Sequence, residues 1–213
     1  MKLAVSILKS KFDEKETIRR INNTTADYIH VDVMDGHFVL EKSKPYEFLH
    51  TSKKKLDVHL MVANPFNFIS KYSFLNTESI TIPIEIDEDI NGLIEFIKAR
   101  GLKAGLSISP DTKVSELEPY LGKIDEILVM SVYPGKGGQK FMESVLYKID
   151  LLEKMRKERK NKFTIKIDGG INDTTIMKVS RADAVVCGSF ICMEEDFQTQ
   201  IDKLNHLKKC IRC

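Results

Sequence analysis

Apolar and polar residues alternate along several short stretches of the chain, most clearly in Tyr28-Ile29-His30-Val31-Asp32-Val33-Met34. Ile29, Val31 and Val33 fall on one face and His30, Asp32 and Met34 on the other, the period-two pattern of a β-strand. Strand-type runs recur at 3–8, 28–33, 56–62, 79–84, 103–109, 126–132, 163–168 and 183–188. Between them the period changes. Phe141, Val145, Ile149 and Leu152 recur at steps of three and four, as do Phe197, Ile201, Leu204 and Leu207, and both sets predict helices with one apolar face. Asn64-Pro65 and Asn172-Asp173 read as helix starts, and Gly101 as a helix stop. Strands alternating with helices in this way predict an α/β fold, a single (β/α)8 TIM barrel over residues 1–213. The even spacing of the units argues against an open, doubly wound sheet.

Composition narrows the classes of function. A hydrophobic content of 42% and a charged content of 30% are those of a globular chain, and 33 basic against 31 acidic residues leave a net charge of only +2. No attraction to polyanions follows, and Lys53-Lys54-Lys55 reads as a solvated surface run, so nucleic acid is not an expected partner. No apolar run approaches the ~20 residues needed to span a bilayer, and lysines follow the first apolar stretch too soon for a signal peptide. A cytoplasmic protein without a membrane partner is expected. Cys187, Cys192, Cys210 and Cys213 fit reduced thiols better than a disulfide framework, and Cys210-x-x-Cys213 has no second pair to complete a metal site.

Barrels of this kind carry their reacting groups at the C-terminal ends of the strands. His30 and Asp32 would end the second strand, while Asp57, His59 and Met61 alternate on one face of the third. Asp168 would end the seventh, in Lys166-Ile167-Asp168-Gly169-Gly170. Two imidazoles and two carboxylates at neighbouring strand ends are a donor set for a divalent metal or for acid–base chemistry. Glycines mark the last three loops: Pro134-Gly135-Lys136-Gly137-Gly138-Gln139, Gly169-Gly170 and Gly188-Ser189. Glycine lets backbone amides approach an anion closely, helix starts add partial positive charge, and phosphate grips in barrels come from these late loops. Asp57 and Lys166 each lie two residues below a candidate ligand on odd-numbered strands. The spacing predicts that they meet inside the barrel under the metal layer.

With these residues in hand the chain resembles the ribulose-phosphate 3-epimerase family. The resemblance rests on Ser6-Ile7-Leu8, residues 30–39, Asp57-Val58-His59-Leu60-Met61-Val62, Val129-Met130-Ser131-Val132-Tyr133-Pro134-Gly135, Gly137-Gly138-Gln139-Lys140-Phe141, Ile167-Asp168-Gly169-Gly170-Ile171 and Cys187-Gly188-Ser189, in family order along nearly the whole chain. It implies one divalent metal, zinc or iron first and manganese or cobalt next, bound by His30, Asp32, His59 and Asp168. It implies Asp32 and Asp168 as the two acid–base groups and a small phosphorylated ketose as substrate. Ser6, His59, Met34, Met61, Met130 and Gln139 would contact the substrate or wall its site. Gly137, Gly138, Gly169, Gly170, Gly188 and Ser189 would hold the phosphate. A homo-oligomer, with a dimer as the guess, is also implied.

Inverting the third carbon of a 2-ketose phosphate removes a proton next to a carbonyl. That calls for a Lewis acid on the carbonyl oxygen and a carboxylate on each face of the enediolate. The chain departs from the family pattern at Lys11, Leu40-Glu41, Pro83, Ser109 and Lys136. None of these is a proposed ligand, but they bear on closure over the site and on sugar recognition. Allulose-6-phosphate 3-epimerisation, metal-dependent hydrolysis and non-catalytic sugar-phosphate binding stay open as alternatives.

Overall fold

The computed structural model describes residues 1–210, and the Cys210–Cys213 pair therefore extends outside the described residues. Eight parallel strands close into a ring in chain order: β1 (Lys2–Ser6), β2 (Tyr28–Met34), β3 (Lys55–Met61), β4 (Thr77–Pro83), β5 (Lys103–Ile108), β6 (Glu126–Met130), β7 (Thr164–Asp168) and β8 (Ala184–Cys187). β8 returns to β1, with Ala4 opposite Val186 and Val5 opposite Cys187. Among the described residues no helix is long and apolar enough to cross a membrane.

The alternation on each strand divides the molecule into two interiors. Ile29, Val31, Val33, Leu56, Val58, Leu60, Ile127, Val129, Ile165 and Ile167 point outward into one continuous apolar layer beneath the helices. The opposite faces point at the barrel axis and are largely polar, with His30, Asp32, Asp57, His59, Ser79, Ser107, Glu126 and Lys166 all buried there. Ala4, Leu128, Met130, Val132 and Val186, with Tyr28 against them, form an apolar cluster on the axis side, and Met34 and Met61 are also buried on the inward faces of β2 and β3.

Among the described residues six α-helices clothe the ring: α1 (Glu14–Asn22), α2 (Phe66–Ser73), α3 (Ile90–Lys98), α4 (Leu146–Glu158), α5 (Ser189–Cys192) and α6 (Phe197–Cys210). Asp13 caps α1 by accepting from the Glu16 amide at 2.8 Å, with Glu14 and Glu16 in the first turn and Arg19 and Arg20 in the last, as the helix dipole favours. Pro65 stands at the start of α2, and Gly101 follows α3 at φ +72°, the left-handed geometry that ends a helix. Two helical expectations are corrected. Phe141 precedes the helix it was grouped with; it is buried, but a 3-10 turn (Glu143–Val145) intervenes before α4. Asn172 starts only a 3-10 turn (Ile176–Val179). Its side-chain oxygen accepts from the amides of Thr174 and Thr175, and this local competition together with two β-branched threonines favours the tight turn. The β2–β3 and β5–β6 connections likewise carry only 3-10 turns, Leu49–Thr51 and Val114–Leu117.

Candidate active site at the barrel mouth

Strand register brings the polar residues level. Asp32 pairs with His59, His30 with Asp57 and Met34 with Met61 across β2 and β3, and Met130 pairs with Asp168 across β6 and β7. One donor atom from each of His30, Asp32, His59 and Asp168 can be chosen so that all four lie within 4.8 Å of one another. His30 Nε2 is 3.3 Å from Asp32 Oδ1 and 3.6 Å from Asp168 Oδ2, and His59 Nδ1 is 3.3 Å from Asp32 Oδ1.

The outer nitrogen of each ring is held in place. His30 Nδ1 meets Asp57 Oδ2 at 2.9 Å, and His59 Nε2 meets Ser107 Oγ at 3.2 Å. These contacts fix both ring orientations and turn the other nitrogen toward the cluster, the usual support behind metal-ligating imidazoles. Ser6 Oγ donates to Asp32 Oδ2 at 2.8 Å, and the Tyr46 hydroxyl donates to the Asp32 carbonyl at 2.9 Å.

Beneath the cluster sits the contact predicted from spacing. Lys166 Nζ donates to Asp57 Oδ1 at 2.7 Å, and Ser79 donates to the same oxygen at 2.8 Å. A register shift between Leu56 and Asp57 sets Ser79 beside Asp57. Lys166 also pairs with Glu126, from an even-numbered strand, so this level is not filled from odd strands alone.

The electrostatics follow from burial and neighbours. Burial opposes charge on His30, yet the carboxylates of Asp32 and Asp57 outweigh it and raise its pKa well above the ordinary range. Burial likewise works against ionised Asp32, but the two histidines hold its carboxyl far below the usual range. Asp168 goes the other way: burial, then repulsion from Asp32, pushes it up to about 6. Asp57 is held low by Lys166 and His30 against its own burial, while burial and the nearby Asp57 charge raise Glu126.

Does the cluster suit a metal ion? His30 Nε2 is buried without a hydrogen-bond partner and faces two carboxylates. A lone imidazole nitrogen in that position costs free energy unless something fills the space between it and the carboxylates. Two imidazoles and two carboxylates are donors that a divalent transition metal accepts, so the residues fit the group.

Above the cluster opens a cleft between the strand ends and the late loops. Ser6, Asp32 and Asp168 form its floor, Met61 and Met130 line its sides, and the segments 137–139, 169–170 and 188–189 line its rim. Two expected contacts need correction, at His59 and at Met34. His30 and His59 are each 1% exposed and lie behind the floor. Met34 does not wall the cleft, because the β2–β3 loop folds back on it (Ser43 and Met34 exchange backbone and side-chain hydrogen bonds) and leaves it facing a neighbouring groove. Gln139 stands on the rim, and its amide nitrogen donates to the carbonyls of Tyr133 and Lys136, which stiffens that loop. Asp35 shapes the turn with Gly36, accepting from the amides of His37, Phe38 and Ala63.

The glycines are demanded by close approach. A Cβ on Gly170 would lie 2.4 Å from the Phe141 amide nitrogen, at a φ of +62° that disfavours any side chain. Gly170→Ala should therefore cost stability by about 1–3 kcal/mol and weaken binding of inorganic phosphate. Chemical denaturation and phosphate titration read the two effects; wild-type behaviour in both would show that the turn yields.

Two of the departures meet each other. Lys136 Nζ pairs with Glu41 Oε1 at 3.2 Å across the mouth, an exposed contact worth little to stability. Sequence reasoning missed Ser107, Tyr46 and Glu126. Ser107 lies two residues before Ser109, the position that the family pattern picks out, and Glu126 opens an otherwise apolar strand, where a charge reads as a solvated end.

Fold and cluster together define the class: a closed parallel barrel with two imidazoles and two carboxylates gathered at its strand ends. The family follows from comparison. Residues 2–192 match the model of the Ribulose-phosphate 3 epimerase family, and the chain belongs to that family. It is 39% identical over 188 residues to a ribulose-phosphate 3-epimerase of Aquifex aeolicus, covering 85% of each chain. To the ribulose-phosphate 3-epimerase of Helicobacter pylori it is 34% identical over 216 residues, covering 98% of this chain and 99% of the relative. The crystal structure of 3-hexulose-6-phosphate synthase from Salmonella typhimurium shares the fold, with a TM-score of 0.68 at 18% identity over 99% of this chain and 100% of that one.

Proposed function

We propose that the protein interconverts D-ribulose 5-phosphate and D-xylulose 5-phosphate by moving the proton at carbon 3, with Asp32 and Asp168 as the two acid–base groups. One observation carries this reading: two carboxylates, from β2 and β7, converge on a buried histidine pair at the floor of a glycine-rimmed cleft, in a chain of this family. Inversion next to a carbonyl needs one group to take the proton from one face and another to return it on the opposite face. Asp32 and Asp168 come from different strands, so a ketose lying across the floor would present its third carbon between them. Ser6 holds one Asp32 oxygen still, and Met61 and Met130 exclude water without offering a competing proton. The loops of Gly137–Gly138, Gly169–Gly170 and Gly188–Ser189 receive the phosphate, which fixes orientation far from the reacting carbon. A divalent cation held by His30, Asp32, His59 and Asp168, zinc or iron ahead of manganese or cobalt, supplies Lewis-acid polarisation at the ketose carbonyl when bound.

Metal loading should depend on pH with a definite sign. Asp168, up at about 6, and His30, raised above the usual imidazole range, must both lose protons before they bind a cation. Acid therefore competes with metal, and apparent affinity should fall roughly tenfold or more per pH unit as pH drops through about 6. Titrating metal-stripped protein with zinc at several pH values checks this, and a flat profile would remove both groups from the site.

The reading itself is tested by metal analysis of purified protein with an epimerase assay on D-ribulose 5-phosphate in deuterated water. Deuterium at carbon 3 of both pentulose phosphates, with no bond cleaved, is the expected result. Cleavage without exchange would replace it with hydrolysis, and phosphate binding without exchange would replace it with a non-catalytic site. Faster turnover of D-allulose 6-phosphate would lengthen the substrate by one carbon.

A further inference from the structure

Two lysines line the glycine-rimmed cleft, and one of them is already paired. Lys136 meets Glu41 at 3.2 Å. The other, Lys9, makes no side-chain hydrogen bond or ion pair among the described residues and lies in the same cleft as Gly170, Gly188 and Ser189. Its direction is set by the two glycines beneath it. A Cβ on Gly137 would stand 3.0 Å from Lys9 Cβ, and one on Gly138 would stand 3.0 Å from Lys9 Cδ and 2.6 Å from its Nζ. The lysine stem thus lies along the backbone of both residues, and any side chain there would push it away. Glycine at 137 and 138 serves this packing as well as the loop turn, where Gly138 has φ +78°.

We infer that Lys9 is the cationic contact for the substrate phosphate and determines the preference for phosphorylated over unphosphorylated ketoses. The inference rests on the sugar-phosphate reading of the cleft. Backbone amides around a glycine rim offer only partial charges, whereas a phosphomonoester near pH 7 carries ≈ −1.5 to −2. An unpaired ammonium held against that rim supplies a full opposite charge as a point contact. Because Lys9 is exposed, its attraction is screened by salt, and the contact gives phosphate affinity a dependence on ionic strength. Lys9 is remote from proton transfer in this scheme, so its loss falls on KM and leaves kcat in place.

Calorimetric titration with inorganic phosphate, at low and at high ionic strength, tests Lys9 without turnover. Lys9→Met should weaken phosphate binding about tenfold at low salt and flatten its salt dependence, and Lys9→Arg should restore most of both. In turnover, Lys9→Met should raise KM for D-ribulose 5-phosphate by a similar factor at unchanged kcat. Phosphate binding within about twofold of wild type, with the same salt slope, overturns the inference, as does a wild-type protein that binds no phosphate. A wild type that binds phosphate through Lys9 yet shows no epimerisation overturns the functional reading and leaves the Lys9 contact standing.

Discussion

Asp168→Asn should lose epimerisation of D-ribulose 5-phosphate by a factor on the order of 10⁴ while keeping its fold. The amide preserves the size of a side chain at the end of β7, so the neighbouring Met130–Asp168 pairing and the Gly169–Gly170 turn have no steric reason to move. What it removes is a group able to take or return a proton. A two-base scheme makes a sharper demand than simple inactivation. With Asp32 still present, one of the two epimers should continue to exchange its carbon-3 proton with solvent deuterium slowly, without inverting, and the other should not. Nuclear magnetic resonance of each substrate in deuterated water reads this asymmetry, with metal content measured alongside because Asp168 is also a candidate ligand. Full activity in the variant would end the two-base proposal.

Lys166→Met should lower stability by about 3–5 kcal/mol, the cost of stranding buried charge. Lys166 is the one ammonium in contact with both Asp57 and Glu126 among the described residues, each almost completely buried. Without it two carboxylates face one another in the barrel interior, and Asp57 keeps only Ser79 and His30 as partners. Adding Glu126→Gln to Lys166→Met should recover part of the loss, because one of the stranded charges is gone. Urea denaturation with an unchanged m-value measures both steps. A Lys166→Met protein within about 1 kcal/mol of wild type would show that water or proton uptake relieves the pair at little cost.

How much of this could be read from the chain depended on local pattern. Short strand-type runs located all eight strands to within a few residues, and in β2 and β3 the period-two alternation also told the inward face from the outward one. His30, Asp32, His59 and Asp168 were legible through the same alternation. A polar side chain on the inward face of an otherwise apolar strand is costly to bury, so it points to a partner or a ligand. The Lys166–Asp57 contact came from counting two residues down from the ligands. Tyr46 was not legible, since it sits in an aperiodic loop whose path is set by Ser43, Met34 and Glu14 rather than by repeat. Lys9 is indistinguishable in sequence from ordinary surface lysines, and its place depends on the turn after β1 lying against the sixth-strand loop. Helical pattern misleads where an Asx-type turn competes with an α-helical start, as at Asn172.

The pairing of β8 with β1 has a consequence for how the molecule is made. Ser6 and Asp32, near the start of the chain, face Gly188 and Ser189, near its end, across a seam that exists only once residues 184–187 are in place. Until then β1 and β7 are open edges, with unpaired backbone groups able to recruit a strand from another nascent chain. A ribosome-bound chain halted before residue 184 should therefore be prone to aggregate and lack the cleft. Release of the remaining segment joins the two events, so the barrel becomes safe from edge pairing at the moment its site becomes complete.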